Sequence, residues 1–390
     1  MNMFKMALLG GAALAVSAAG AQADDLSALK AQIESLNARV ATMEAAPSVP
    51  AGYSLLTISE GAQPTIPGLE MSARDKANIG DKATVISVMP TADAPAATEI
   101  TWSGYARAAI VYSDSDARGD DGSLDVLARG QIRVSGKTET AVGEVGAAIE
   151  FRGNFNGERI TNVNHDVYIE QAWGYWAMTP ELTLGGGFAG SLGALQHGYD
   201  GKCNCYYTDN ADVYFSGDTS QMRLSYASGP FSLAIALEDA SGTGGAWNDT
   251  GDSALGGAGE VKYDGDTFSG ELAAVYRNTE TGDDFYQVGA GATVAIGDMA
   301  ALSGTAFMGS VDADDYWGGT LLASVNLSDE IHAEIAGGYK EYDSHDVTAA
   351  LAGVYYDPVS QLTIGLEGEW IDDSSANESV QVDLVTVFRF

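Results

Sequence analysis

From Glu99 to the C-terminus, apolar and polar side chains alternate residue by residue in stretches separated by turn formers. The final stretch shows the pattern most clearly. Val380, Val382, Leu384, Thr386, Phe388 and Phe390 fall on one side, and Gln381, Asp383, Val385, Val387 and Arg389 on the other. Period two marks an extended strand whose faces meet two environments. The pattern divides the region into sixteen segments: 99–113, 123–138, 140–154, 163–177, 181–190, 218–228, 230–240, 256–264, 266–278, 284–296, 298–311, 315–327, 329–342, 345–356, 359–371 and 378–390. An even count suits an antiparallel barrel whose two ends share one side of a membrane. The predicted fold is therefore all-β, a 16-stranded antiparallel transmembrane β-barrel over 99–390.

Connection lengths agree. Every second connection is tight and built from turn formers: Glu139-Thr140, Thr179-Pro180, Ser228-Gly229-Pro230, Asp264-Gly265-Asp266, Gly297-Asp298, Ser328-Asp329 and Asp357-Pro358. The alternate connections are mostly longer and acidic, including Asp114 to Gly122, Ala240 to Leu255 and Asp372 to Asn377. Short turns on the periplasmic side and long loops outside are the outer-membrane pattern.

Alternation also assigns the sides of the wall. In 359–371, Leu362, Ile364, Leu366 and Trp370 face lipid while Thr363, Glu367 and Glu369 face the lumen. In 218–228, Met222, Leu224 and Tyr226 face out, and Gln221, Arg223 and Ser225 face in. A slip of one residue would put a carboxylate into hydrocarbon at a cost of about 2 kcal/mol or more. Trp102, Tyr112, Tyr226, Trp370, Phe388 and Phe390 suit interfacial girdles.

The N-terminal region follows other rules. Residues 1–23 read as a signal peptide: Lys5, an apolar run from Ala7 to Gly20, then Ala21-Gln22-Ala23 as the cleavage site. Leu26, Leu29, Ile33, Leu36, Val40 and Met43 are spaced 3, 4, 3, 4, 3, the seam of a coiled coil over 24–46. So short a helix needs partners, the natural ones being copies of itself. Ile33 and Val40 at a, with Leu29 and Leu36 at d, by themselves favour two strands. Residues 47–98, with Pro64, Pro67, Pro90 and Pro95, read as a Pro/Ala-rich periplasmic linker in which only Tyr53 to Ser59 and Ala83 to Met89 look like short strands.

Composition sharpens this picture. Gly (48) and Tyr (18) are abundant, Pro (9) and Cys (2) are scarce, and the 45% of hydrophobic residues is scattered in alternation. Outside the signal, no apolar run is long enough for a helical span. The net charge is −35, and loss of the signal with Lys5 makes it one unit more negative. Such acidity argues against nucleic acid as a partner and suits attraction of cations. Acidic outer loops, with Asp114, Asp116, Asp120 and Asp121, or Asp312, Asp314 and Asp315, could hold Ca²⁺ or bridge lipopolysaccharide, but their spacing fits no EF-hand. No cofactor or metal centre is expected. Cys203 and Cys205 could form a disulfide in an oxidising compartment, though the ring would be strained, and free thiols or a bridge to a partner chain stay open.

The same parity turns Arg107, Arg129, Arg133, Arg152 and Arg389 inward on the first three strands and the last, which become neighbours when the barrel closes. They form a basic wall in an acidic protein, either facing a watery pore or pairing with inward Glu144, Glu150 or Asp383. Opposite them is placed the longest barrel connection, 191–217, with Asp200, Asp209 and Asp212.

In this the chain resembles the trimeric general porins of the rhizobial and Rhodobacter kind, whose third loop folds into the barrel and sets acids across from an arginine cluster. Ile100 to Ala106 (ITWSGYA) looks like their opening strand, Val167 to Gly190 (VYIEQAWGYWAMTPELTLGGGFAG) is similar to their fourth and fifth, and Phe231 to Asp239 (FSLAIALED) and Val359 to Glu369 (VSQLTIGLEGE) are close to recurring strands. The resemblance covers about 99–390, and the extension before it looks like the coiled-coil stalks of certain sugar porins.

The resemblance implies a homotrimer in the outer membrane, in contact with lipid and lipopolysaccharide, that lets small hydrophilic solutes and ions diffuse passively. The negative charge adds a cation preference. A sugar-selective channel would need an aromatic track, to which Tyr105, Tyr206 and Tyr207 could contribute, and the coil could also tether the membrane to the cell wall. His165-Asp166 and His345-Asp346 lack a nucleophile arrangement, so no catalysis is expected.

Overall fold

The computed structural model describes residues 56–69, 71, 73–88, 98–116, 122–156, 167–199, 206, 217–239, 255–277, 284–311, 314–376 and 378–390. The expected signal peptide and the coiled-coil seam from Leu26 to Met43 lie outside them.

Two short strands and a helix come first: β1 (Leu56–Ala62), α1 (Ala73–Ile79) and β2 (Lys82–Val88). Sixteen barrel strands follow: β3 (Thr98–Ser115), β4 (Ser123–Thr140), β5 (Gly143–Asn156), β6 (Val167–Ala177), β7 (Leu182–Gly190), β8 (Asp218–Ser228), β9 (Phe231–Asp239) and β10 (Leu255–Asp264), then β11 (Phe268–Arg277), β12 (Phe285–Ile296), β13 (Ala300–Val311), β14 (Asp314–Asn326), β15 (Ile331–Tyr342), β16 (Asp346–Val359), β17 (Leu362–Asp373) and β18 (Glu378–Arg389). Each pairs antiparallel with its neighbour, and β18 pairs with β3, Arg389 opposite Tyr105 and Ser379 opposite Ser115, so the ring has no free edge. Closure gives each strand a hydrogen-bonded neighbour on both sides, the condition for crossing lipid.

The register is the one alternation predicts. Leu366 is 55% exposed and its neighbour Glu367 1%. Val380, Val382, Leu384, Phe388 and Phe390 are exposed on the outside of β18, while Asp383, Val385 and Val387 are buried inside. Two expected turns are corrected. Glu139 and Thr140 belong to β4, opposite Glu144 and Gly143, and the chain reverses at Ala141-Val142. Asp357-Pro358 belongs to β16, where the pairing with β17 shifts between Tyr356 and Val359, and the chain reverses after Val359. A proline has no N–H to give to a ladder, so a bulge accommodates it as readily as a turn does.

In the described part of 47–98, two strands form close to the strand-like stretches Tyr53 to Ser59 and Ala83 to Met89. β1 and β2 form an antiparallel ribbon with Ala62 opposite Lys82. β2 continues onto the first residues of β3, Thr84 opposite Trp102 and Val88 opposite Thr98, below the point where β18 ends. The intervening residues, with α1, turn into the barrel from the end that carries the short turns. The Pro- and Gly-containing sequence reads as linker because its partners are distant in the chain.

The interior is not uniformly polar. Ile79 packs with Tyr105, Ala109, Val111, Tyr206, Tyr355, Val385 and Val387. Ile66 and Leu69 pack with Ala148, Trp173, Tyr175 and Ala189.

Candidate functional site

The five predicted arginines lie together on the inner face of β3, β4, β5 and β18. Period two places them there, since Arg107 pairs across the ladder with Arg129 and Arg389 with Tyr105. Three of them, Arg107, Arg133 and Arg152, are buried, while Arg129 and Arg389 are half-buried. Arg107 is 2% exposed and Arg133 3%. Two kinds of partner cover them.

The first kind is wall side chains. Arg133 sits 3.2 Å from Glu150, the pairing alternative raised by the sequence. Arg129 donates to Asn154, and Arg152 donates to Gln131 at 2.8 Å and to Glu170. The other acids proposed as partners are engaged elsewhere, Glu144 with Lys137 at 3.6 Å and Asp383 with Gln381 at 2.8 Å.

The second kind is the segment between β1 and β2. Arg107 Nη1 donates to Asn78 Oδ1 at 3.0 Å, and Arg152 Nη2 lies 3.0 Å from Asp75 Oδ1. Arg389 Nε donates to the Ala77 carbonyl at 2.8 Å and the Asn78 carbonyl at 3.1 Å. Met71 sulfur faces Arg133. Further round the ring, Trp173 Nε1 donates to the Pro67 carbonyl at 3.1 Å and Arg223 Nη1 to the Gly68 carbonyl at 2.8 Å. A helix C-terminus presents unsatisfied carbonyls that attract cations, and α1 turns its last ones onto Arg389. Gly80 ends the helix with φ +79° and its N–H on the Lys76 carbonyl at 2.8 Å. A Cβ there would also stand 2.7 Å from Arg389 Cδ.

The described start of the connection after β7, Ser191 to Tyr199, runs along the inner wall. Ser191 Oγ donates to Glu238 at 2.8 Å and the Leu192 N–H to the same carboxylate at 3.0 Å. The Gln196 N–H reaches Glu271, His197 Nδ1 meets Thr293 Oγ1 at 2.6 Å, and the Gly198 N–H donates to Ser303 Oγ at 2.8 Å. The Tyr199 N–H donates to Thr320 at 3.0 Å, and its hydroxyl to Glu369 at 2.5 Å. The chain thus follows the inner wall from β9 to β17, clipped by a ladder of inward hydroxyls and carboxylates. Leu195 and Tyr199 add an apolar anchor among Phe307, Tyr316 and Leu322. Beyond it, the Tyr206 N–H donates to Glu367 at 2.5 Å, and its hydroxyl accepts from Arg389 at 3.1 Å. Loop and N-terminal segment therefore meet at Arg389.

Asp200, Asp209, Asp212, Cys203 and Cys205 lie outside the described residues, as do His165 and Asp166. Among the described residues no group of three or more His, Cys, Asp or Glu is disposed to hold a metal ion. Sequence reasoning missed Asp75, Asn78, Ile79 and Gly80. The signal was faint: a short helix-forming run, Ala73 to Ile79, closed by a glycine and flanked by two strand-like stretches. Inward Arg277, 3.0 Å from Glu238 with both side chains fully buried, was legible from period two but went unremarked.

No protein-family model matches the chain, and no curated protein matches it. Solved structures do. The outer membrane channel DcaP of Acinetobacter baumannii is similar at a TM-score of 0.62 and 16% identity, over 75% of this chain and 97% of that one. The anion-selective porin of Comamonas acidovorans gives 0.58 and 12%, over 75% and 100%. OmpT, an outer-membrane protein of Vibrio cholerae, gives 0.54 and 13%, over 75% and 98%. At these identities the likeness is one of architecture: the closed sixteen-stranded ring of this chain is a porin fold.

Proposed function

We propose that the chain forms a water-filled channel in the outer membrane of a Gram-negative cell, through which small hydrophilic solutes and ions diffuse passively. The observation that supports it is inverted polarity. Leu366, Leu384, Ile364 and Phe388 are exposed outside a closed ring, while Glu334, Glu367, Glu369 and Asp383 are inside. A soluble protein does the reverse, and only a lipid exterior rewards this arrangement. The chain is exported by the signal at 1–23, read from Lys5, the apolar run and Ala21-Gln22-Ala23, and assembles as a homotrimer in contact with lipopolysaccharide, a reading that rests on the resemblance of 99–390 to the rhizobial and Rhodobacter porins. Transport by diffusion calls for no cofactor.

Cations are preferred. The net charge is −35, so the fixed field of the chain is negative overall. The selectivity named for the Comamonas protein belongs to a different chain. A sugar-selective channel is less well supported, since Tyr105 and Tyr206 are packed in an apolar cluster instead of being presented to a solute.

The test is purified protein in planar bilayers. Stepwise conductance is expected, with a reversal potential of cation sign in a KCl gradient. Absence of conductance steps overturns the channel, and a potential of chloride sign overturns the preference.

A further inference from the structure

We propose that residues 63–81 are a built-in constriction element, docked onto the arginine wall from the turn end, that narrows the pore and withdraws those guanidinium charges from passing solutes. The inference rests on the channel reading above and deepens it.

Neither β1 nor β2 is a stave of the barrel, since β3 through β18 close the ring without them. Ala62 stands opposite Lys82, so two residues would suffice to join the strands, yet the chain spends 63–81 there. That excess is held from β18 round to β8, through Arg389, Arg107, Arg133, Arg152, Trp173 and Arg223. Guanidinium groups buried beneath the segment, as those of Arg107 and Arg152 are, and bonded to its Asn78 and Asp75 are screened from an anion in transit.

The wall is complementary in a way a bare pore would not be. Ala109 and Val111 on β3 and Val385 and Val387 on β18 all point inward at apolar positions, in one buried cluster with Ile79. Apolar inward residues facing water would be a standing cost. Under a docked segment they are its seat. Tyr206 joins the same cluster from the loop side, so the two elements narrow the lumen together.

The decisive comparison uses the full chain, a variant with 63–81 replaced by Asn-Gly, and Gly80→Val. The valine must adopt a left-handed backbone and displaces Arg389, which unseats α1 without deleting anything. Each is measured in planar bilayers after its heat-modifiable electrophoretic shift shows a folded barrel. Conductance should rise at least about twofold on replacement, with the reversal potential moving toward chloride as the arginines face solution. Gly80→Val should shift both in the same directions by less, and decides the matter alone if the replacement does not fold. Conductance and reversal equal to those of the full chain overturn the proposal and leave the channel standing. No conductance from any of the three removes the channel reading, and this inference with it.

Discussion

Arg389, the penultimate residue, donates from Nε to the carbonyl of Ala77 at 2.8 Å, so the last strand of the barrel holds the end of the N-terminal helix. The same side chain reaches Thr363 Oγ1 at 2.8 Å and the Tyr206 hydroxyl at 3.1 Å. Wall, loop and N-terminal segment are tied at one planar fork, a geometry that an ammonium cannot reproduce.

Arg389→Lys should therefore keep the charge but lose most of these bonds. A destabilisation of about 2 kcal/mol is expected, the scale of one or two hydrogen bonds to a charged group. Urea unfolding of vesicle-inserted protein, followed by tryptophan fluorescence, checks it. An unchanged midpoint would mean the fork is incidental.

Glu238 faces Arg277 at 3.0 Å with both side chains fully buried, and also holds Ser191 and Leu192. Removing one charge of such a pair leaves the other uncompensated, so Glu238→Ala should cost about 3–5 kcal/mol. The double variant Glu238→Ala/Arg277→Ala should cost less than the sum of the two single variants, because neither charge is then left alone, while Ser191 and Leu192 lose their acceptor in both Glu238 variants. A double-mutant cycle in the same unfolding assay measures the coupling.

Leu195 anchors the inward loop against Tyr199, Phe307, Tyr316 and Leu322. Leu195→Ala should loosen it at a cost of about 2–4 kcal/mol. In single-channel records the sign would be added current noise with no change in the far-ultraviolet spectrum of the barrel.

Leu366 lies on the lipid side and Ser225 on the lumen side. Leu366→Arg should cost about 2–4 kcal/mol if it sits near the bilayer midplane, and Ser225→Arg less than about 1 kcal/mol. Equal costs would contradict the assigned sides.

The strands were legible because their signal is local. Lipid on one side and lumen on the other impose period two on each stretch by itself, so Val380 to Phe390 reveals its faces with no knowledge of its neighbours. Gly297-Asp298 and Ser328-Asp329 mark turns by their own backbone preferences. Even the inward direction of Arg107, Arg133 and Arg389 follows from counting.

What those arginines meet could not be counted. Ala73 to Ile79 is too short to hold as a helix alone, and its flanks carry the prolines and glycines of a linker. Its place depends on β18 closing against β3, which brings Arg389 and Arg107 beside each other and Val385 and Val387 beside Ala109 and Val111. Local alternation decides which side of the wall a residue faces. Only closure of the ring, by joining positions almost three hundred residues apart such as Arg389 and Tyr105, decides whether that side meets open lumen or another part of the chain.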